Sequence, residues 1–205
     1  IALGVATLIV VMSVMNGFRA ELMGRILGLN GHLGVYAQSG SLEDYGALAK
    51  RIAGLPGVIR TAPVVEGQAM ATSGNTAYGT LVRGMRPEDI RNQATIADNI
   101  LDGSLDQFKG RNAIAIGSGL ARRFRLQPGG IITLISPKSK VTAFGSVPRM
   151  TRFPVASIYK IGMYAYDNSF IFMPLDAALI FFKSGHGATT IDALLNSAHA
   201  GAVAR

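Results

Sequence analysis

The chain is 205 residues long, 49% hydrophobic and only 16% charged, with a formal charge of +8 and no cysteine. That length holds one large domain or two small ones with a proper core, and the lack of cysteine excludes disulfide and thiolate chemistry. A mean hydropathy of +0.32 is high for a soluble protein, yet 25 glycines and frequent turn signals argue against a bundle of spanning helices.

The charge suits nucleic acid, an anionic surface or an acidic partner. No zinc-finger spacing, aromatic RNA-reading strand or Lys/Arg-dense helix is present, so nucleic acid is set aside.

The chain opens "IALGVATLIVVMSVMNGF", uncharged from Ile1 to Met15. Fifteen helical residues cover roughly 22 Å, less than a hydrocarbon core of about 30 Å. A signal peptide would need a basic start and a small-residue cleavage site, and neither is there. The run therefore reads as the outer part of a transmembrane helix, with a buried helix as the competing reading. Phe18, Leu22 and Ile26 continue it at helical spacing as an amphipathic stalk. Asn16-Gly17 marks an expected bend where it leaves the lipid.

"HLGVYA" reads as a short strand and "SLEDYGALAKRIAGLPGV" as a helix with Ser41 as its N-cap. "IRTAPVVEGQAMATS" returns as a strand, Gly74-Asn75 turns the chain, and "TAYGTLVRGM" runs back. "RPEDIRNQATIADNIL" reads as a short helix and irregular chain. "NAIAIGSGLARRFRLQPGGIITLIS" reads as strand, helix, turn, strand. "VASIYKIG" and "SFIFMPL" are further strands, "LDAALIFFKS" is a helix, and "TTIDALLNSAHAGAVAR" reads as a strand and then the start of a helix.

This order implies an α+β fold. A β-α-β lobe from residues 30–73 plus 173–205 is expected beside the stalk (1–29). A β-rich lobe, 74–172, is inserted into it.

One stretch resists assignment. "SPKSKVTAFGSVPRMTRFPV", Ser136 to Val155, holds three prolines and four cations without an acid. It forms neither a clean strand nor a helix by pattern, and reads as a long exposed loop between two strands.

Catalytic signatures are missing. His32, His186 and His199 lack the spacing of metal ligands. "IGSGLA" fails the register of a nucleophile elbow, because Ser118 has glycine as both immediate neighbours. It also lacks a phosphate loop's lysine. Gly117-Ser118 reads instead as a helix cap, and the acidic residues form no pair for acid/base work. No catalytic residue, metal or cofactor is expected.

Four stretches together carry a resemblance: "VMSVMNGFRAELMGRILGLNGH", "LPGVIRTAPVVEGQAM", "AIAIGSGLARRFRLQPGGIITLISP" and "FIFMPLDAALIFF". They resemble the LolC/LolE family, permease subunits of the lipoprotein-releasing ABC transporter, with a MacB-like periplasmic domain. The resemblance implies an inner-membrane protein with this domain in the periplasm. It also implies a second permease subunit, a separate cytoplasmic ATPase subunit, lipoprotein substrates and a LolA-like periplasmic chaperone.

It further implies that 136–154 is a hook that catches the chaperone. The matching residues are Pro137, Lys138, Lys140, Phe144, Pro148, Arg149, Met150, Thr151 and Arg152, with Phe144 as the apolar anchor and Arg149 or Arg152 as the basic contact. Met12, Met15 and Phe18 are candidate lipoprotein contacts on the stalk, since methionine adapts to varied apolar ligands. The alternatives are a MacB-like efflux or mechanotransmission permease and an FtsX-like regulator of a cell-wall hydrolase.

Overall fold

The computed structural model describes residues 2–37, 40–108, 113–142, 145–184 and 187–196; the side chains of 20–28 and 138–147 lie outside that description. It opens with helix α1, Ala2–Asn30, 29 residues without a break. The helix runs uninterrupted through Asn16-Gly17, the weak point of the sequence reading. Glycine lowers helix stability by only about 1 kcal/mol and, unlike proline, keeps its N–H in the ladder. Its segment Ala2–Arg19 is long and apolar enough to cross a membrane, and it packs against nothing in the domain. Eighteen residues reach about 27 Å, close to a hydrocarbon core. The helix ends at Gly31, whose φ of +66° is the left-handed stop that glycine adopts without steric cost. A Cβ there would sit 3.0 Å from the Ala193 carbonyl oxygen.

Strand β1 (Leu33–Tyr36) follows, then α2 (Tyr45–Ala53). The N-cap of α2 is Asp44, whose carboxylate accepts from the Ala47 amide, and not Ser41. Tertiary pairing overrides the local signal: Leu42 is held extended by reciprocal backbone bonds with Ala188, and Ser41 donates to the Ser184 carbonyl. Strands β2 (Val58–Ser73) and β3 (Thr76–Met85) form a hairpin through Gly74, at φ +56°. Short helices α3 (Pro87–Arg91) and α4 (Ala94–Ala97) lead to β4 (Ile100–Gly103). Next come β5 (Ile114–Gly117), α5 (Ser118–Phe124), β6 (Ile131–Thr142) and β7 (Gly145–Tyr159). The order closes with α6 (Tyr164–Ser169), β8 (Phe170–Pro174), α7 (Leu175–Phe182) and β9 (Thr190–Leu195).

Helix α6 has no counterpart in the sequence reading. The Asp167 carboxylate fixes it by accepting from the amides of Ile161 and Gly162, a tertiary cause that local propensity cannot show.

The long strand β2 organises the molecule. Its first half, Val58–Val64, pairs with β9, which also pairs with β1. Its second half pairs with β3 and, at Met70–Thr72, with β6. The ladders β2-β3-β8-β5-β7-β6-β2 close into a ring of six strands. Strand alternation distributes side chains between two cores. Ile114, Ile116, Ile171 and Met173 enter one with Phe181 of α7, while Ala115 and Phe172 enter the other with Leu29 of α1.

The stretch Ser136 to Val155, expected to be irregular, is strand for most of its length. Ser136 faces Arg149 and Lys140 faces Val147, so Pro137, Lys138 and Ser139 stand opposite Pro148 alone. Both prolines thus fall where the ladder breaks. Lacking an N–H, proline is tolerated at such a bulge, and Val141, Thr142 and Val147 favour the extended chain beyond it.

Candidate functional site: a hairpin and the foot of an apolar helix

Strand β6 touches β2 only from Thr133 to Ile135. From Ser136 on, the described residues of β6 pair only with β7 as far as Arg149, so the hairpin leaves the sheet at this level. Its base is fixed from below. Phe153 is buried and meets Phe181 of α7 edge-on, with centroids 6.0 Å apart.

The expected hook residues fall into groups. Pro137 and Pro148 mark the break, on the exposed surface. Lys138 and Lys140 belong to β6 by backbone, with side chains outside the description, and Phe144 lies outside the described residues altogether. Arg149 turns back and donates to the Ile180 carbonyl at 2.8 Å, placing a cation at the C-terminal end of α7, where the helix dipole favours it. Thr151 is half-buried opposite Leu134. Arg152 is exposed opposite Thr133.

Met150, 62% exposed, lies opposite Ile135, which lies opposite Met70 on β2, 50% exposed. These three form an apolar row across three strands. Beside it is an open groove of about 710 Å³ lined by Met70, Leu81, Ile135, Pro137, Pro148 and Phe170, among others. Met70, Leu81, Ile135 and Phe170 went unnoticed in the sequence. Their apolar character was visible, but only the β2-β6-β7 register brings Met70 and Ile135 beside the two prolines.

Met12, Met15 and Phe18 are 59%, 61% and 63% exposed on α1. Residues 2–19 of that helix are all exposed, so the fold does not single these three out.

The other end of α1 is gripped. Leu29 is buried, and its carbonyl accepts from Gln93 Nε2 at 2.7 Å. The Asn30 amide donates to the Tyr166 hydroxyl at 2.8 Å and accepts from Arg83 Nη1 at 2.6 Å. Arg83 is 3% exposed; its Nη2 donates to the Asp192 carboxylate, and Glu66 lies 3.9 Å from Nη1. Burial pushes Asp192 up to about 6 in spite of Arg83. His32 accepts from the Leu195 amide; His186 and His199 lie outside the described residues. Ser118 starts α5 behind Gly117 as its N-cap, with no side-chain cap bond.

The class that the fold defines is an α+β domain with a projecting hairpin, carried behind a helix long and apolar enough to cross a membrane. The model of the MacB-like periplasmic core domain family matches residues 1–205, and the chain belongs to that family. It is 33% identical over 184 residues to the lipoprotein-releasing system transmembrane protein LolC of Neisseria meningitidis serogroup B, covering 89% of this chain and 44% of that one. It is 28% identical over 185 residues to LolE of Haemophilus influenzae, covering 88% and 44%. These relatives support the LolC/LolE resemblance, and the chain spans less than half their length.

In structure it is similar to the extracellular domain of the ABC-type transporter YknZ from Gram-positive bacteria. The TM-score is 0.55 at 13% identity, over 83% of this chain and 86% of that one. It is also similar to the periplasmic region of MacB from Actinobacillus actinomycetemcomitans, at TM-score 0.52 and 13% identity, over 80% and 67%. The α+β, MacB-like fold expected from the sequence is therefore the fold observed.

Proposed function

We propose that the chain is the periplasmic part of an inner-membrane ABC permease that releases lipoproteins and passes them to a LolA-like periplasmic chaperone. The similarity to LolC, 33% identical over 89% of the chain, carries this reading. Here α1 is the first membrane helix, and ATP hydrolysis belongs to a separate cytoplasmic subunit. A second permease subunit completes the transporter. The chain itself is a transport component and not an enzyme. Within it, 30–73 plus 173–205 form the lobe next to the membrane and 74–172 the inserted lobe. The β6-β7 hairpin is the hook, with the exposed Met150 and Arg152 at its base meeting the chaperone. Met12, Met15 and Phe18 contact the lipoprotein as it leaves the bilayer.

The similarity to MacB favours an efflux permease in fold alone, at 13% identity.

The test is capture of the purified chaperone by the full-length protein at two salt concentrations. Residues 138–147 are replaced by a short turn, leaving Arg149 on α7. Capture should vanish while the melting temperature holds. Undiminished capture removes the hook assignment and with it the handover.

A further inference from the structure

Only Gly31 and His32 separate α1 from β1, and both are fixed. His32 N donates to the Ala193 carbonyl at 2.9 Å, and Gly31 packs on the same backbone. A tilt of α1 therefore has no linker in which to dissipate. One side chain gathers the joint. Arg83 stands mid-sheet on β3, directly opposite Glu66 of β2. Its guanidinium reaches Asn30 at the last turn of α1 and Asp192 on β9. Strand β9 pairs with β1 and the first half of β2, whereas β3 pairs with the second half of β2 and with β8.

We propose that Arg83 is the positioning residue that couples α1 to both parts of the sheet, so that a movement of the helix becomes a movement of the hairpin. This rests on the permease reading above, in which α1 moves with the transport cycle. Several features favour a coupling role over simple packing. A buried ion pair is costly to desolvate, and replacing both of its partners by apolar residues of similar volume is often no less stable. Arg83 bridges β3, the end of α1 and β9, although β3 and β9 pair with β2 and not with each other. Among the described residues its Nε has no hydrogen-bond partner, so the guanidinium is oriented toward Asn30 and Asp192. Hydrogen-bond and salt-bridge networks between rigid elements are among the carriers of such coupling.

These 205 residues hold no cysteine, so labels introduced here meet no competing thiol within the domain. Spin labels are placed at Arg19→Cys on α1 and Met150→Cys on β7 at the base of the hairpin, in the full-length protein assembled with its partner subunits in vesicles. Their distance distribution is recorded with and without nucleotide. The parent should give a narrow distribution that shifts with nucleotide. Asn30→Ala and Arg83→Met should broaden it and abolish the shift, while Asn30→Asp, which keeps an acceptor for Arg83, should retain it.

An Arg83→Met protein that melts lower yet keeps the width and the shift is the result of a merely stabilising role, and it overturns the proposal. Asn30→Ala, an exchange at the partly buried helix end, guards against misfolding of the arginine variant. If it too leaves the shift intact, the proposal fails. Lipoprotein release by the same vesicles is a separate readout. A parent that shows the shift but releases no lipoprotein removes the functional reading and leaves the coupling standing.

Discussion

The β6-β7 hairpin and the foot of α1 are held by opposite means. Past Ser136, the described backbone of β6 pairs with β7, and Arg149 adds a bond to α7. The foot of α1 has buried Leu29, Gln93, Asn30 and a buried guanidinium shared between two carboxylates. The contrast teaches where each kind of interaction is useful. An exposed hairpin can be changed without cost to the core, so it suits contact with a partner. A buried ionic node tolerates little change, so it fixes the orientation of the element it holds.

That comparison breaks most sharply at Arg83. Arg83→Met removes one partner of a buried pair and leaves Asp192 among apolar and polar neighbours without its cation. A loss of about 3–5 kcal/mol is expected at pH 8, read from urea unfolding of the protein in detergent. Adding Asp192→Asn to the same chain should recover part of that loss, because the uncompensated charge goes. A single mutant indistinguishable from the parent would mean that the node contributes no stability.

The next effect is on pH. Burial raises Asp192 to about 6 from an ordinary 3.8, against the pull of Arg83. Asp89 moves in the same direction, chiefly by burial, with Arg86 opposing. A carboxyl raised in the folded state binds its proton more tightly there than in the unfolded chain. Its contribution is therefore fully present below about pH 4 and is lost as pH rises through about 6. For Asp192 this is about 2–3 kcal/mol. Melting temperatures across this window should fall with rising pH, and Asp192→Asn should flatten the slope to the share that Asp89 keeps. The loss from Arg83→Met should likewise be smaller at pH 5 than at pH 8, since Asp192 can then take up a proton.

Much of this was visible in the chain. The strand cores "VVEGQAMATS", "AIAIG" and "FIFMP" announce themselves by β-branched and aromatic runs bounded by glycine or proline, and the structure places strands there. The apolar helix was equally plain. What stayed hidden depends on partners distant in sequence. Leu42 is kept out of α2 by Ala188, and α6 is fixed by a carboxylate that reaches back to Ile161 and Gly162. The two prolines of the hairpin suggested a loop, because a linear reading cannot tell that both fall at one bulge of an otherwise continuous ladder. Arg83 was hidden for the same reason. In "TLVRGM" it is an ordinary alternating strand position, and only the β2-β3 register and the approach of β9 make it a node. Of the proposed hook, proline spacing and charge were legible, but which arginine reaches α7 was not.

That last distinction gives the finest prediction. Arg149 and Arg152 are three residues apart on β7, and by sequence either could be the basic contact. They face different surroundings. Arg149 is half-buried and donates to the Ile180 carbonyl at the end of α7, whereas Arg152 is exposed opposite Thr133. Arg149→Glu loses a charge-assisted bond and sets an anion at the negative end of a helix, so it should cost about 1–2 kcal/mol of stability. Arg152→Glu should leave stability within about 0.5 kcal/mol, as substitutions on an open surface do. The binding effects should reverse that order. An exposed cation steers an acidic partner, so Arg152→Glu should slow association with the chaperone, with an effect that shrinks as salt rises. Arg149→Glu should alter association less, because its cation is already spent on α7. Melting curves and interferometry on the two single variants, each at low and high salt, separate the roles. Equal losses of stability, or a slower association for Arg149→Glu than for Arg152→Glu, would show that the bond to α7 does not distinguish the two arginines.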